Sequence, residues 1–121
     1  MKATLAIIDD NVMMRAFLQE YLCKDFNVLA FPDAGEAWEW LDQGNFPDLI
    51  TVDIKMPGLS GVDFLTQLKS SALFSEIPVL ILSGVKKSPQ RVQCLELGAA
   101  DYIVKPFNPR ELELRIRKHL R

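Results

Sequence analysis

The chain has 121 residues, 49% hydrophobic and 25% charged, a composition that fits one globular domain with its own core. With 14 basic and 16 acidic residues the net charge is −2, so nothing global points to a nucleic-acid or membrane partner. No apolar run approaches the ~18 residues that span a bilayer, and no secretory leader is recognisable, so a cytoplasmic protein is the default expectation.

Hydrophobic patterning alternates along the chain. "TLAII" (4–8) is a continuous apolar run, read as a strand covered on both faces. "NVMMRAFLQEYL" (11–22) has helical spacing at Met14, Phe17, Leu18, Tyr21 and Leu22, with Asn11 able to cap it. "NVLAF" (27–31) is a short strand and "AGEAWEWL" (34–41) a helix. "LITVD" (49–53) is a second apolar strand ending in an acid, followed by the helix "GVDFLTQLKS" (61–70). "PVLILS" (78–83) is a strand, "PQRVQCLELG" (89–98) a helix with Pro89 near its start and Gly98 past its end, and "DYIV" (101–104) a strand. "PRELELRIRKHL" (109–120) closes the series as a helix begun by Pro109.

Five strand–helix units of this kind predict an α/β fold, a flavodoxin-like, doubly wound, five-stranded parallel sheet of order 2-1-3-4-5 with five helices. One domain covers residues 1–121. Ligands of such sheets sit beyond the carboxyl ends of the strands, where the strand order reverses.

At that rim the sequence is informative. The first strand stops at Asp9 and Asp10, the third at Asp53, the fourth at Ser83 and the fifth at Lys105; the second stops at Phe31 and Pro32. Any one of these would be an ordinary cap or surface charge, but the set at four neighbouring strand ends is hard to produce by chance. Three converging carboxylates repel one another, which a divalent cation relieves. Hard oxygen donors without His or Cys suit Mg²⁺ or Mn²⁺. Lys105 and Ser83 can hold phosphoryl oxygens that the metal does not reach, so the predicted chemistry is phosphoryl transfer onto a carboxylate.

These residues, with the stretches "IIDDN", "VDIKMPGLSG", "PVLILSG" and "LGAADYIVKPF", resemble the CheY-like receiver domain of bacterial two-component response regulators over the whole chain. The resemblance implies a phosphorylation-dependent switch, not an enzyme, with slow self-dephosphorylation. Asp53 would take a phosphoryl group from a phosphohistidine of a sensor histidine kinase or phosphotransfer protein. Asp10 would ligate Mg²⁺ directly, Asp9 directly or through water, and Lys55 through its backbone carbonyl. Lys105 and Ser83 would hold the phosphoryl group, and Tyr102 would turn inward as Ser83 moves. A cis Lys105–Pro106 bond is expected, aiming Lys105 at the site. Gly84 departs from the commoner alanine and would leave the site more open; Asn11 stands where some members carry a further acid.

A resemblance to the receivers of the winged-helix DNA-binding class is also present. It implies a homodimer through the fourth helix, fifth strand and fifth helix, with Arg91 paired to Glu111 and Asp101 to Arg115 across a twofold axis, and no nucleic-acid binding by this domain itself. Ala100 replaces an acid that this class often has. On the last helix Leu112, Ile116 and Leu120 form the buried stripe, which leaves Leu114 exposed. A haloacid-dehalogenase-like phosphatase is the enzyme alternative, but it wants an acid where Lys55 stands. A flavodoxin-like cofactor module wants a hydroxyl- and glycine-rich loop where "DDNVMM" stands. With no effector region following Arg121 in this sequence, either a stand-alone receiver or a piece of a longer regulator is expected.

Other residues have plainer readings. Cys23 and Cys94 are reduced, mostly buried thiols. Trp38 and Trp40, two apart on a helix, cannot share a face, so one packs and the other is partly exposed. His119 is a favourable charge at a helix C-terminus rather than a relay residue. Pro57 and Gly58 shape a turn, and Lys86 and Lys87 are solvated. From Lys105 to Arg121, six basic residues face Glu111 and Glu113, which is either a solvated helix face or an interaction surface.

Overall fold

The computed structural model describes residues 2–56, 58–84 and 88–120. Strands and helices alternate throughout: β1 (Thr4–Ile8), α1 (Val12–Leu22), β2 (Asn27–Phe31), α2 (Ala34–Asp42), β3 (Leu49–Asp53), α3 (Gly61–Lys69), β4 (Val79–Ser83), α4 (Ser88–Glu96), β5 (Asp101–Val104) and α5 (Pro109–His119). Pro57, Lys86 and Lys87 lie outside the described residues.

The strands form one parallel sheet in the order β2-β1-β3-β4-β5. Alternation of side chains sends Leu5, Ile7, Leu49, Leu80, Leu82 and Ile103 to the face covered by α1 and α5. Ala6, Ile8, Ile50, Val52, Val79 and Ile81 go to the opposite face, under α2, α3 and α4. Both faces are buried, which is why the central strands read as unbroken apolar runs. Register is strongly specified for the same reason, because a slip of one residue would exchange the two faces. The edge strand β2 is only partly buried.

Local chemistry sets the helix starts. Asn11, Asp33, Ser60 and Asn108 each precede a helix in extended backbone, and each side-chain oxygen accepts a first-turn N–H. Asn11 thus caps α1, as its side chain suggested. Gly98 follows α4 with φ of 109°, a conformation that favours glycine.

Three expectations are corrected, those for Trp38 and Trp40, for Cys23 and for Leu120. Trp38 and Trp40 both pack: Trp38 lies 5.5 Å from Phe64 and 5.9 Å from Phe74, ring centre to ring centre, and Trp40 lies 5.4 Å from Phe31. Their directions differ, but α2 has an aromatic neighbour on each side. Cys23 is exposed, because it caps the C-terminus of α1; Cys94 is buried. On α1 only Leu18 and Leu22 are fully buried, while Phe17 is 44% exposed and stacks on Tyr21. Leu112 and Ile116 are buried as the stripe requires, Leu120 is half-buried, and Leu114 is 50% exposed.

Candidate functional site

The chain leaves β1 for β2 on one side and returns to β3 on the other, so the order reverses around β1. The crevice lies at the carboxyl ends of β1 and β3, and there the acids meet. One carboxylate oxygen from each of Asp9, Asp10 and Asp53 lies within 4.8 Å of the others. Asp9 is buried, Asp53 partly buried and Asp10 exposed.

Asp9 is held at both carboxylate oxygens: the Asn11 N–H donates to Oδ1 at 2.9 Å and Lys105 Nζ to Oδ2 at 3.1 Å. The same ammonium lies 3.4 Å from Asp53 Oδ2. Lys105 therefore bridges the two strand ends, and it reaches them from β5 across β4. Its backbone N–H donates to the Ser83 carbonyl at 2.8 Å, which continues the ladder past the strand end. The Lys105–Pro106 bond is cis.

Burial raises the pKa of the Asp53 carboxyl above its ordinary value. The Lys105 charge opposes this and the Asp9 charge adds to it, while bonds from Lys105 and the Lys55 N–H favour the ionised form. Asp53 is thus a desolvated anion beside a second anion, a group that gains from a cation in the crevice. The donors are carboxylate oxygens with no His or Cys among them, which fits Mg²⁺ or Mn²⁺.

Ser83 is buried at the end of β4, one residue beyond Leu82, the partner of Asp53 in the register. Tyr102, paired in register with Ile81, is 6% exposed and joins the core beneath α4, with the Arg91 guanidinium 5.8 Å from its ring centre. The Lys55 side chain is exposed. Gly84 is exposed, and a Cβ added there would meet nothing within 4 Å.

Arg91, Asp101, Glu111 and Arg115 line one groove of about 390 Å³ between α4, β5 and α5. Arg115 donates to Asp101 Oδ1 at 2.8 Å and lies 3.4 Å from Glu111, all within one chain. Asp101 also accepts from the Tyr102 N–H at 2.9 Å, and its second oxygen is 3.3 Å from His119 Nε2. His119 thus has a specific partner besides the helix terminus. Of the other basic residues near the C-terminus, Arg110 and Arg117 hold Glu113, which is 8% exposed, at 3.1 and 3.0 Å. Much of that charge is consumed inside the chain.

The sequence reading missed the roles of two residues near the site. Arg15 on α1 donates to the Asp9 carbonyl at 2.7 Å. Gly61, the first residue of α3, is packed against the backbone of Asp53 and Ile54, and its N–H donates to the Ile54 carbonyl at 3.0 Å. Its place in "MPGLSG" was the only signal available.

No helix among the described residues is long and apolar enough to cross a membrane. The family described as "Response regulator receiver domain" matches residues 5–117. A protein of Cyanophora paradoxa named "Probable transcriptional regulator ycf27" is 36% identical over 99% of this chain and 49% of its own length. Response regulator Rre1 of Synechocystis sp. is 35% identical over 97% of this chain and 51% of its own. Histidine kinase P4 of Formosa agariphila is 35% identical over 98% of this chain but only 9% of its own. The chain thus spans about half the length, or less, of these curated relatives. Among solved structures, the Francisella response regulator 1452 receiver domain superposes with a TM-score of 0.89 at 27% identity, covering 98% of this chain and 96% of that one. Chemotaxis protein CheY4 of Vibrio cholerae gives 0.91 at 25% identity, covering 99% of this chain and 100% of that one. The chain belongs to the response regulator receiver domain family of two-component signal transduction.

Proposed function

We propose that this domain is a phosphorylation-dependent switch in which Asp53 accepts a phosphoryl group from a phosphohistidine of a histidine kinase or phosphotransfer protein. The observation that carries the reading is the convergence of Asp9, Asp10 and Asp53 within 4.8 Å, with Lys105 joined to Asp9 and Asp53. Bound Mg²⁺ (or Mn²⁺) would neutralise phosphoryl oxygens and bring the donor to the acceptor. Asp10, Asp9, Asp53 and the Lys55 carbonyl are the groups that would hold it.

An Asp53 carboxylate oxygen attacks phosphorus. The new O–P bond forms as the donor's N–P bond breaks, and its electron pair returns to the imidazole nitrogen. Lys105 then exchanges part of its interaction with Asp53 for the phosphoryl oxygens, and the Ser83 hydroxyl moves toward them. Tyr102 and the groove between α4, β5 and α5 respond as a shift between two populated states. Output passes through that face, by partner binding or by homodimerisation. The domain itself binds neither nucleic acid nor membrane, acts in the cytoplasm, and catalyses nothing beyond slow loss of its own phosphoryl group.

The test is incubation with acetyl phosphate and Mg²⁺, read by intact mass. One acid-stable, base-labile phosphoryl group is expected, lost in Asp53→Asn and on chelation of the metal. Full labelling of Asp53→Asn would overturn the assignment.

A further inference from the structure

We infer that Arg15 is a positioning residue for the metal-binding side of the acid cluster, acting through the peptide unit that joins Asp9 to Asp10. The inference rests on the reading of that cluster as a Mg²⁺ site. β1 is paired with β2 as far as Ile8 and Phe31, and the Asp9 N–H still donates to the Phe31 carbonyl at 3.1 Å. In a continuing parallel ladder the Asp9 carbonyl would next accept the Asp33 N–H. The chain turns away at Pro32 instead, and Asp33 caps α2. Arg15 fills the gap: its Nη1 lies 2.7 Å from that carbonyl, a short charge-assisted bond from a partly buried side chain.

The consequence falls on Asp10. The Asp9 carbonyl and the Asp10 N–H belong to one rigid plane, so a fixed carbonyl fixes the direction in which Asp10 leaves the strand. The Asp9 side chain is anchored independently by Asn11 and Lys105. The Asp10 carboxylate is exposed and accepts no hydrogen bond among the described residues, so its aim depends on its backbone. The first turn of α1 thereby sets the geometry of an acid that precedes the helix.

A simpler role makes the opposite prediction. If Arg15 acted only as a nearby positive charge, it would oppose a dication, and its removal would tighten Mg²⁺ binding. Positioning requires that removal weaken it. The experiment is a Mg²⁺ titration at low ionic strength, followed by tryptophan fluorescence and by the metal-dependent rise in unfolding temperature. The proteins compared are the unsubstituted chain, Arg15→Lys, Arg15→Met and Asp10→Asn.

The expected order of Kd is unsubstituted, then Arg15→Lys, then Arg15→Met. The full span should be about tenfold, the low end of what groups supporting a metal ligand contribute. Arg15→Met binding Mg²⁺ as tightly as the unsubstituted chain, or more tightly, overturns the inference. If Arg15→Met does not fold, Arg15→Lys decides, and an unchanged Kd there overturns it. Failure of the underlying reading looks different: Mg²⁺ would not bind the unsubstituted chain, or Asp10→Asn would bind it unchanged.

Discussion

The Arg115 guanidinium lies 2.8 Å from the Asp101 carboxylate of its own chain, so two groups suited to bridging a twofold interface already hold each other. A dimer through α4, β5 and α5 that pairs Asp101 with Arg115 and Arg91 with Glu111 across the axis must exchange intrachain bonds for interchain ones. The gain per ion pair is then small, within the ~0–1 kcal/mol of exposed pairs. Ala100 offers no further bridge. Additional drive would come from the exposed Val92, Leu95 and Leu114. Beryllofluoride-activated protein should therefore form a weak, salt-sensitive dimer in sedimentation experiments, and Arg115→Glu should remain a monomer. A dimer that survives Arg115→Glu would place the interface elsewhere.

Asp101 also sets a pH dependence. Burial alone would raise its pKa, but hydrogen bonds from the Tyr102 N–H, Arg115 and His119, together with the Arg115 charge, outweigh burial and depress it. A carboxyl depressed in the folded state contributes stability that is present above its unfolded value, 3.8. That contribution is lost as pH falls through the folded value. Asp101→Asn should therefore cost about 1.5–2 kcal/mol at pH 7, the low end of what hydrogen bonds to a charged group contribute, because Arg115 is partly exposed. The difference should vanish in strong acid. Urea unfolding across pH 2–7 measures it; a difference that persists undiminished at the acid end refutes the attribution.

Much of this architecture was legible in the residues. Continuous apolar runs and helical periodicity located all ten elements, with ends displaced by one or two residues where caps and final turns decide them. The rim was legible because strand ends in a parallel sheet must converge, so Asp9, Asp10, Asp53 and Lys105 could be placed together from order alone. What stayed hidden depends on contacts between elements. Trp38 packs because α3 brings Phe64 beside it and the α3–β4 connection brings Phe74; no periodicity within α2 carries that information. Arg15 reaches a carbonyl six residues back because the β1–α1 corner folds over, and Glu113 is buried because Arg110, Arg117 and Tyr21 close on it.

The acid cluster should make the metal-free protein less stable than it could be. The Asp53 pKa is raised in the fold, so the stability its carboxyl contributes is full below the unfolded value, 3.8, and is lost as pH rises through the folded one. At pH 7 the ionised side chain therefore opposes folding. In chelator at pH 7, Asp53→Asn should unfold at a temperature higher by a few degrees. Mg²⁺ should narrow the gap by stabilising the unsubstituted protein more. A lower midpoint for Asp53→Asn in chelator would show that the Lys105 contact outweighs burial and the repulsion from Asp9.

Gly61 ties the end of β3 to the helix that follows it. A Cβ added there would overlap the Asp53 carbonyl oxygen and lie 2.8 Å from the Ile54 Cα. Both atoms are backbone, so no side-chain rotation relieves the contact. Either the start of α3 or the Asp53–Ile54 segment must shift, and the Gly61 N–H bond to the Ile54 carbonyl shifts with it. Glycine to alanine within a helix ordinarily stabilises by roughly 0.5–1 kcal/mol, so the expected sign is reversed here. Gly61→Ala should cost about 1–3 kcal/mol in urea unfolding, the usual range for forced overpacking. It should also slow labelling by acetyl phosphate, since the displaced segment carries Asp53, the proposed acceptor. Gly84→Ala is the matched comparison, because its Cβ meets nothing within 4 Å, and it should change stability by less than about 0.5 kcal/mol. If Gly61→Ala proves as stable as the unsubstituted protein and is labelled at the same rate, the close approach of α3 to Asp53 does not govern the position of that carboxylate.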